Sequence, residues 1–444
     1  MFVHSSRALT ALTAALASAL PLTALAQTQA TKPPKASAYI DLATNASDIP
    51  GMGMMAGMAR GGQSGGMMGA LGAMMGGGGG GNSAGGNTFG STHGQGFGAP
   101  GKYVDISVGN LKNPALQEAG QTVVSTFFGT PLKLISPPPP EKPIPADKDE
   151  PPVEYEKPKP NAKISVYWGC GDTVRPGQPR TLDMSKSTMD DYAKFFTMRS
   201  SNSRGARLRY GEPSWPNKQD DRRVPESAQL AGEHQITGTG MPDNFKFTLD
   251  DRQDFLAPIS LTQQKQGPGG AVQLEWQMVT YARGYFISVM GAGAGGGRRG
   301  GGGDGAEVVI WTSSELPEMG YALMDYQTNA SIDQWVKDKV VLPATTTKCT
   351  VPKGIFGEDG AGMLRMVAYG GESFLGYPRR PADPKVAYDP DWQVKVRTKS
   401  SLFSMLGGMP GQERGDGNGN GMPGQPQQQE TPGVGTLLKG LFGR

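Results

Sequence analysis

Three groups of side chains have the types and spacing for chemistry. The first is methionine: Met52, Met54, Met55, Met58, Met67, Met68, Met74 and Met75 crowd a single Gly-rich stretch. Thioethers are soft ligands that suit Cu(I) without titrating, so this stretch is a candidate copper site. Almost no His or Asp lies among these methionines. The alternative is an apolar set used for self-association or docking. The second group is an Arg-rich loop, 204–223, with Arg207, Arg209, Tyr210, Trp215, Arg222 and Arg223. An exposed aromatic beside guanidinium groups can stack on a sugar ring while the arginines bind hydroxyls or acids. The bland reading is that Tyr210 and Trp215 pin a long loop to the body.

The third group is acid–base and is thin. Only three histidines occur. His4 lies in a leader and His93 in a Gly-rich stretch expected to be disordered, which leaves His234 in the strand-like run Glu233-His234-Gln235. A Ser-His-Asp or Cys-His centre would have to use that residue, and no G-x-S-x-G elbow is present. Carboxylates are adjacent at Asp190-Asp191, Asp220-Asp221 and Asp250-Asp251. A glycosidase needs two carboxyls facing each other across a bond, which adjacency in sequence does not supply. A polysaccharide-active enzyme is therefore only a secondary alternative. The expectation is a protein without enzymatic activity and without a cofactor.

The elements that must position these groups follow from composition. Gly contributes 67 residues and Pro 36 of 444, so parts of the chain lack the apolar bulk to offset the entropy of ordering. Residues 1–26 read as a secretory signal, with Arg7, an apolar Ala-rich run and Ala24-Leu25-Ala26 before Gln27. No later stretch has the ~20 apolar residues of a membrane-spanning helix. Without the leader the chain carries 42 basic and 40 acidic residues, one Arg fewer than the total of 43, and so has no global field for nucleic acid. Export makes a disulfide between Cys170 and Cys349 plausible, worth roughly 4–5 kcal/mol for so long a loop. Two buried thiols are the alternative.

Residues 27–101 are expected to form a disordered Gly/Met-rich arm, and 102–136 a β segment. A stiff Pro-rich linker follows over 137–161, then a β-rich domain over 162–268. Alternation predicts strands at 163–168 and 272–276, and other strand-like runs between turn signals predict them at 232–239, 245–249, 285–289, 307–311, 364–369 and 392–397. Tyr192, Phe195 and Phe196 predict a short helix over 185–198, and Ser331 with Gln334 a capping box opening another. Residues 401–444 return to Gly, Pro and Gln as a disordered tail.

The spacing of short strands and Gly/Pro turns points to a mainly β fold built as sandwiches. The run V-x-L-x-W-x-x-V-x-x-A-x-G-Y-x-I-x-V over 272–289, with L-R-M-V-A-Y-G at 364–370, resembles fibronectin type III and other Ig-like modules. That resemblance covers roughly 271–400, within an expected domain over 269–400, and implies a β-sandwich with Trp276 and Tyr285 as core aromatics. Such modules mostly bind, space or display, so the expected function is an exported cell-envelope binding protein. Its expected partner is an envelope protein or a surface polysaccharide.

Overall fold

A computed structural model describes residues 31–48, 87–94, 99–123, 131–140, 162–196, 199–267, 270–293, 306–356, 362–383 and 385–406. The expected leader, the eight methionines, most of the expected Pro-rich linker and the expected tail beyond 406 lie outside them. Alternation of aliphatic with polar or small residues produces strands throughout. The strands are β1 (Ala36–Ser47), β2 (Gly101–Asn110), β3 (Glu118–Val123), β4 (Leu132–Ile135), β5 (Ala162–Trp168), β6 (Arg180–Asp183), β7 (Ser214–Trp215), β8 (Gly232–Gly238) and β9 (Lys246–Leu249). The chain continues through β10 (Leu261–Gln266), β11 (Val272–Trp276), β12 (Gly284–Ala292), β13 (Ala306–Thr312), β14 (Leu342–Pro343), β15 (Lys348–Val351), β16 (Gly362–Tyr377) and β17 (Trp392–Leu406). Two α-helices interrupt the series, α1 (Met189–Phe195) and α2 (Asn329–Lys337).

Fourteen strands form one sheet in the order β6-β5-β13-β12-β16-β17-β1-β2-β7-β4-β3-β8-β9, with β14 beside β12. A second sheet has the order β10-β11-β15. The architecture is mainly β. Long strands β16, β17 and β1 are its spine, and two cores form against them. In one, Ile40, Leu42, Val104, Ile106, Val394 and Val396 meet Ile236, Phe245, Phe247 and Trp215. In the other, Val272, Leu274 and Trp276 of the small sheet cover Tyr285, Ile287, Val289, Leu364 and Met366.

Four expectations are corrected here. Residues 27–101 are not wholly a disordered arm, because β1 lies inside them at the centre of the large sheet. It is hydrogen-bonded parallel to β17 and antiparallel to β2. Nor do 162–268 and 269–400 form separate domains: β5 pairs parallel with β13, across any boundary near 268. The N-cap of α2 is Thr328, whose hydroxyl accepts from the Ser331 amide, so Ser331 sits inside the helix rather than opening it. The helix expected over 185–198 covers only α1, opened by a reciprocal Thr188/Asp191 box. Trp276 and Tyr285 do meet in the core, edge to face at 5.5 Å. Cys170 and Cys349 are disulfide-bonded, tying the loop after β5 to β15.

Candidate functional site

Strand β17 alternates strictly where it crosses the spine. Val394 and Val396 enter the apolar core, which turns Lys395, Arg397 and Lys399 to the opposite face. Register brings carboxylates beside them. Asp41 of β1 lies opposite Arg397, Asp105 of β2 lies opposite Asp41, and Glu372 of β16 lies opposite Arg397 on its other side. A rank of four charged residues thus crosses four adjacent strands. Asp41, Asp105, Arg397 and Lys399 are all at most 3% exposed.

Charges so deeply buried must be paired. Arg397 grips Asp41 with two parallel bonds, Nε to Oδ1 at 2.7 Å and Nη2 to Oδ2 at 2.5 Å. Lys395 pairs with Glu372 at 2.6 Å, and Lys399 donates to Asp325 at 2.9 Å. Burial opposes the charge on Arg397, but the bond to Asp41 raises its pKa above the ordinary value. A strap, residues 199–212, covers this rank. Arg397 donates to the Ser203 carbonyl, the Ala206 amide donates to Asp41 at 2.9 Å, and the Arg207 amide donates to Ser107 Oγ at 3.2 Å. Gly205 is required by close approach: a Cβ there would overlap the Arg397 guanidinium.

A second cover, residues 87–94, closes the rank beside the strap. Asp105 accepts from the Gly90 amide at 3.0 Å and from the Thr92 hydroxyl. His93 Nδ1 lies 2.6 Å from Asp325 Oδ2, and its Nε2 lies 3.8 Å from Asp41. The imidazole meets the Tyr326 ring edge to face at 5.4 Å. That ring in turn lies under Arg397 at 4.2 Å and Lys399 at 4.6 Å, which is cation–π packing in a dry setting. Burial pushes the Asp105 carboxyl up to about 6, against its bonds from Thr92 and Gly90, and neighbouring Asp41 adds to the rise. Burial opposes ionisation of Asp325 too, but Lys399 and His93 hold it well below the usual carboxylate range. The Tyr326 hydroxyl is pushed up by burial and by Asp41. His93 and Asp325 are partly exposed at the mouth of this arrangement.

The predicted sugar-stacking set is dispersed. Trp215 is wholly buried in the apolar core through the pairing of β7 with β2, so it cannot stack on a ligand. This corrects its assignment to a binding loop. Tyr210 is exposed. Arg207 is bidentate to Glu212 at 3.1 and 3.0 Å, with Arg209 near the same carboxylate at 3.5 Å. Arg222 is bidentate to Asp220 at 2.8 and 2.7 Å. The adjacent acids are likewise absorbed: Asp191 caps α1 and Asp250 caps the 3-10 turn at 251–253.

His234 is buried, with Nδ1 accepting from Gln121 at 3.0 Å and Nε2 donating to the Leu230 carbonyl at 2.7 Å. Its ring stacks on Phe247 at 5.0 Å, and burial lowers its pKa. It is a packed side chain, and His93 is the imidazole placed among ionisable groups. Sequence reasoning discarded His93 with its Gly-rich surroundings and passed over Asp41, Asp105, Asp325, Arg397 and Lys399. A signal was present: Ile40-Asp41-Leu42 and Val104-Asp105-Ile106 each set one acid between two aliphatic strand residues. No group of three or more metal-ligating His, Cys, Asp or Glu occurs among the described residues. No helix there is long and apolar enough to cross a membrane. No protein-family model matches the chain, and comparison with curated proteins returns no match.

Proposed function

We propose that this chain is an exported, non-enzymatic binding protein of the cell envelope, taking an envelope protein or a surface polysaccharide as partner. The supporting observation is directional. β1 and β17 run parallel and finish together, with Ser47 opposite Phe403. Register then places Leu406 beside Gly362, Gly362 beside Gly291, Ala292 beside Val308, and Ala306 beside Ala162. Segments 49–86, 294–305, 357–361 and 407–444, together with the exit of 141–161 into β5, therefore attach at one end of the large sheet. Most are the Gly-, Met- or Pro-rich parts of the sequence. A broad paired sheet with its low-complexity segments on one side suits presentation better than turnover. We also read the small sheet over β12, β16 and β17 as a sandwich of Ig-like kind, an architecture that often binds or displays.

The test is co-sedimentation of the leader-free protein with isolated envelopes, untreated and protease-stripped. Sedimentation well above a vesicle-free control is expected, and deletion of 407–444 or 52–75 is expected to weaken it. No sedimentation with either preparation overturns the reading. Loss on stripping assigns a protein partner, and retention a glycan. A Cu(I)-binding reading is favoured by one observation: all eight clustered methionines lie in a connection tied at both ends, to β1 and, through 87–94, to β2. Competition titration with a chromogenic Cu(I) chelator tests it. Unchanged copper uptake after deletion of 52–75 removes it.

A further inference from the structure

Residues 87–94 are fastened to the large sheet chiefly by ionisable side chains. From β2, Asp105 holds Gly90 and Thr92. From 321–329, Asp325 holds His93, with Tyr326 against its ring, and from β1 Asp41 stands 3.8 Å from His93. From β17, Arg397 and Lys399 lie behind these groups, and from β16 Glu372 is occupied by Lys395. On the remaining side the Asn87 amide donates to the Asp221 carbonyl at 2.7 Å, and Arg223 faces Tyr103 of β2.

The charge count of this cluster is uneven. Asp41, Asp105 and Asp325 carry three negative charges against the two of Arg397 and Lys399. One more proton balances them. Asp41 is engaged by Arg397 through both oxygens and Asp325 is engaged by Lys399, which leaves Asp105, held only by neutral donors, to carry it. We propose that residues 87–94 are a proton-operated clasp, closed on the sheet when Asp105 holds that proton and loosened when it has lost it. The clasp fixes Asn87, where the chain rejoins the fold after leaving β1. The inference rests on this geometry alone and is independent of which partner the protein binds.

The sign follows from linkage. A carboxyl raised to about 6 when closed and returning to its ordinary 3.8 when open binds its proton more tightly in the closed form. Closure is therefore favoured by acid, by about tenfold between pH 7.5 and pH 5 for Asp105. Amide hydrogen exchange on the full leader-free chain reads this directly. After correction for intrinsic rates, the Gly90 and Thr92 amides are expected to be about tenfold better protected at pH 5.0 than at pH 7.5, with β17 amides as the control for global stability. The D105N variant, which keeps the side chain's shape but cannot titrate, is expected to lose the step. Equal protection at both pH values, lower protection at pH 5.0, or a step persisting in D105N overturns the proposal. If near-UV circular dichroism shows D105N unfolded, the same comparison is made with D105S, and a step that persists there overturns it.

Discussion

The Arg397–Asp41 pair is the keystone of the buried rank, and replacing Arg397 by Met measures what it contributes. Methionine keeps most of the aliphatic volume but leaves Asp41 wholly buried with only the Ala206 amide and a distant His93 to compensate it. Breaking a buried pair from one side costs about 3–5 kcal/mol. The Ser203 carbonyl also loses its donor. For a body of this size that is a fall in Tm of roughly 6–20 °C, a large part of the 5–15 kcal/mol typical of a folded domain. The double variant D41N/R397M removes the stranded charge and is expected to recover most of the loss, giving a strongly non-additive cycle. Calorimetric unfolding of wild type, both singles and the double tests this. A loss below about 1 kcal/mol for R397M, or simple additivity, would falsify the keystone role.

Other expectations follow from the same packing. Gly205→Ala places a methyl against the Arg397 guanidinium, so it is expected to cost about 1–3 kcal/mol and to raise exchange in the strap. Trp215→Ala is expected to destabilise the fold by about 3–5 kcal/mol, so lost ligand binding in that variant would report unfolding, and a calorimetric scan separates the two. Cys349→Ser removes a bridge spanning 179 positions and is expected to cost about 2–5 kcal/mol, matched by wild type in reductant. The His234 imidazole is held below its ordinary value of 6.5 by burial. It therefore contributes stability present above pH 6.5 and lost as the pH falls through the lowered value, and His234→Gln is expected to flatten that part of the stability profile.

Most strand interiors were legible because alternation is a local property. Lys163 to Trp168, Val272 to Trp276 and Trp392 to Arg397 each carry the period-two pattern and each is a strand. β1 escaped notice for a reason that is not local. Its residues ASAYIDLATNAS are Ala-rich and sit beside a Gly-rich stretch, and what makes them a strand is pairing with β17, more than 350 positions away, and with β2. Trp215 was misread from the opposite side. The polar composition of 199–225 suggests a solvated loop, yet two residues of it enter the sheet and carry the indole into the core.

The charged face shows most clearly what a sequence leaves open. In β17 the alternation Val394-Lys395-Val396-Arg397 announces one apolar and one charged face, and the ordinary expectation for such a face is solvent. Whether it is covered depends on segments elsewhere in the chain. Here Ser203 to Arg207 crosses it and 87–94 closes beside that strap, which turns two surface cations, Arg397 and Lys399, into buried ones. Buried cations demand acids, and the acids come from β1, β2, β16 and 321–329, all distant from β17 in sequence. The same covering that raises the Asp105 carboxyl also depresses that of Asp325, because Asp105 receives only neutral donors while Asp325 receives Lys399 and His93. Two carboxylates in one network are thus driven apart by their immediate partners, the condition under which a single proton can decide whether 87–94 stays on the sheet.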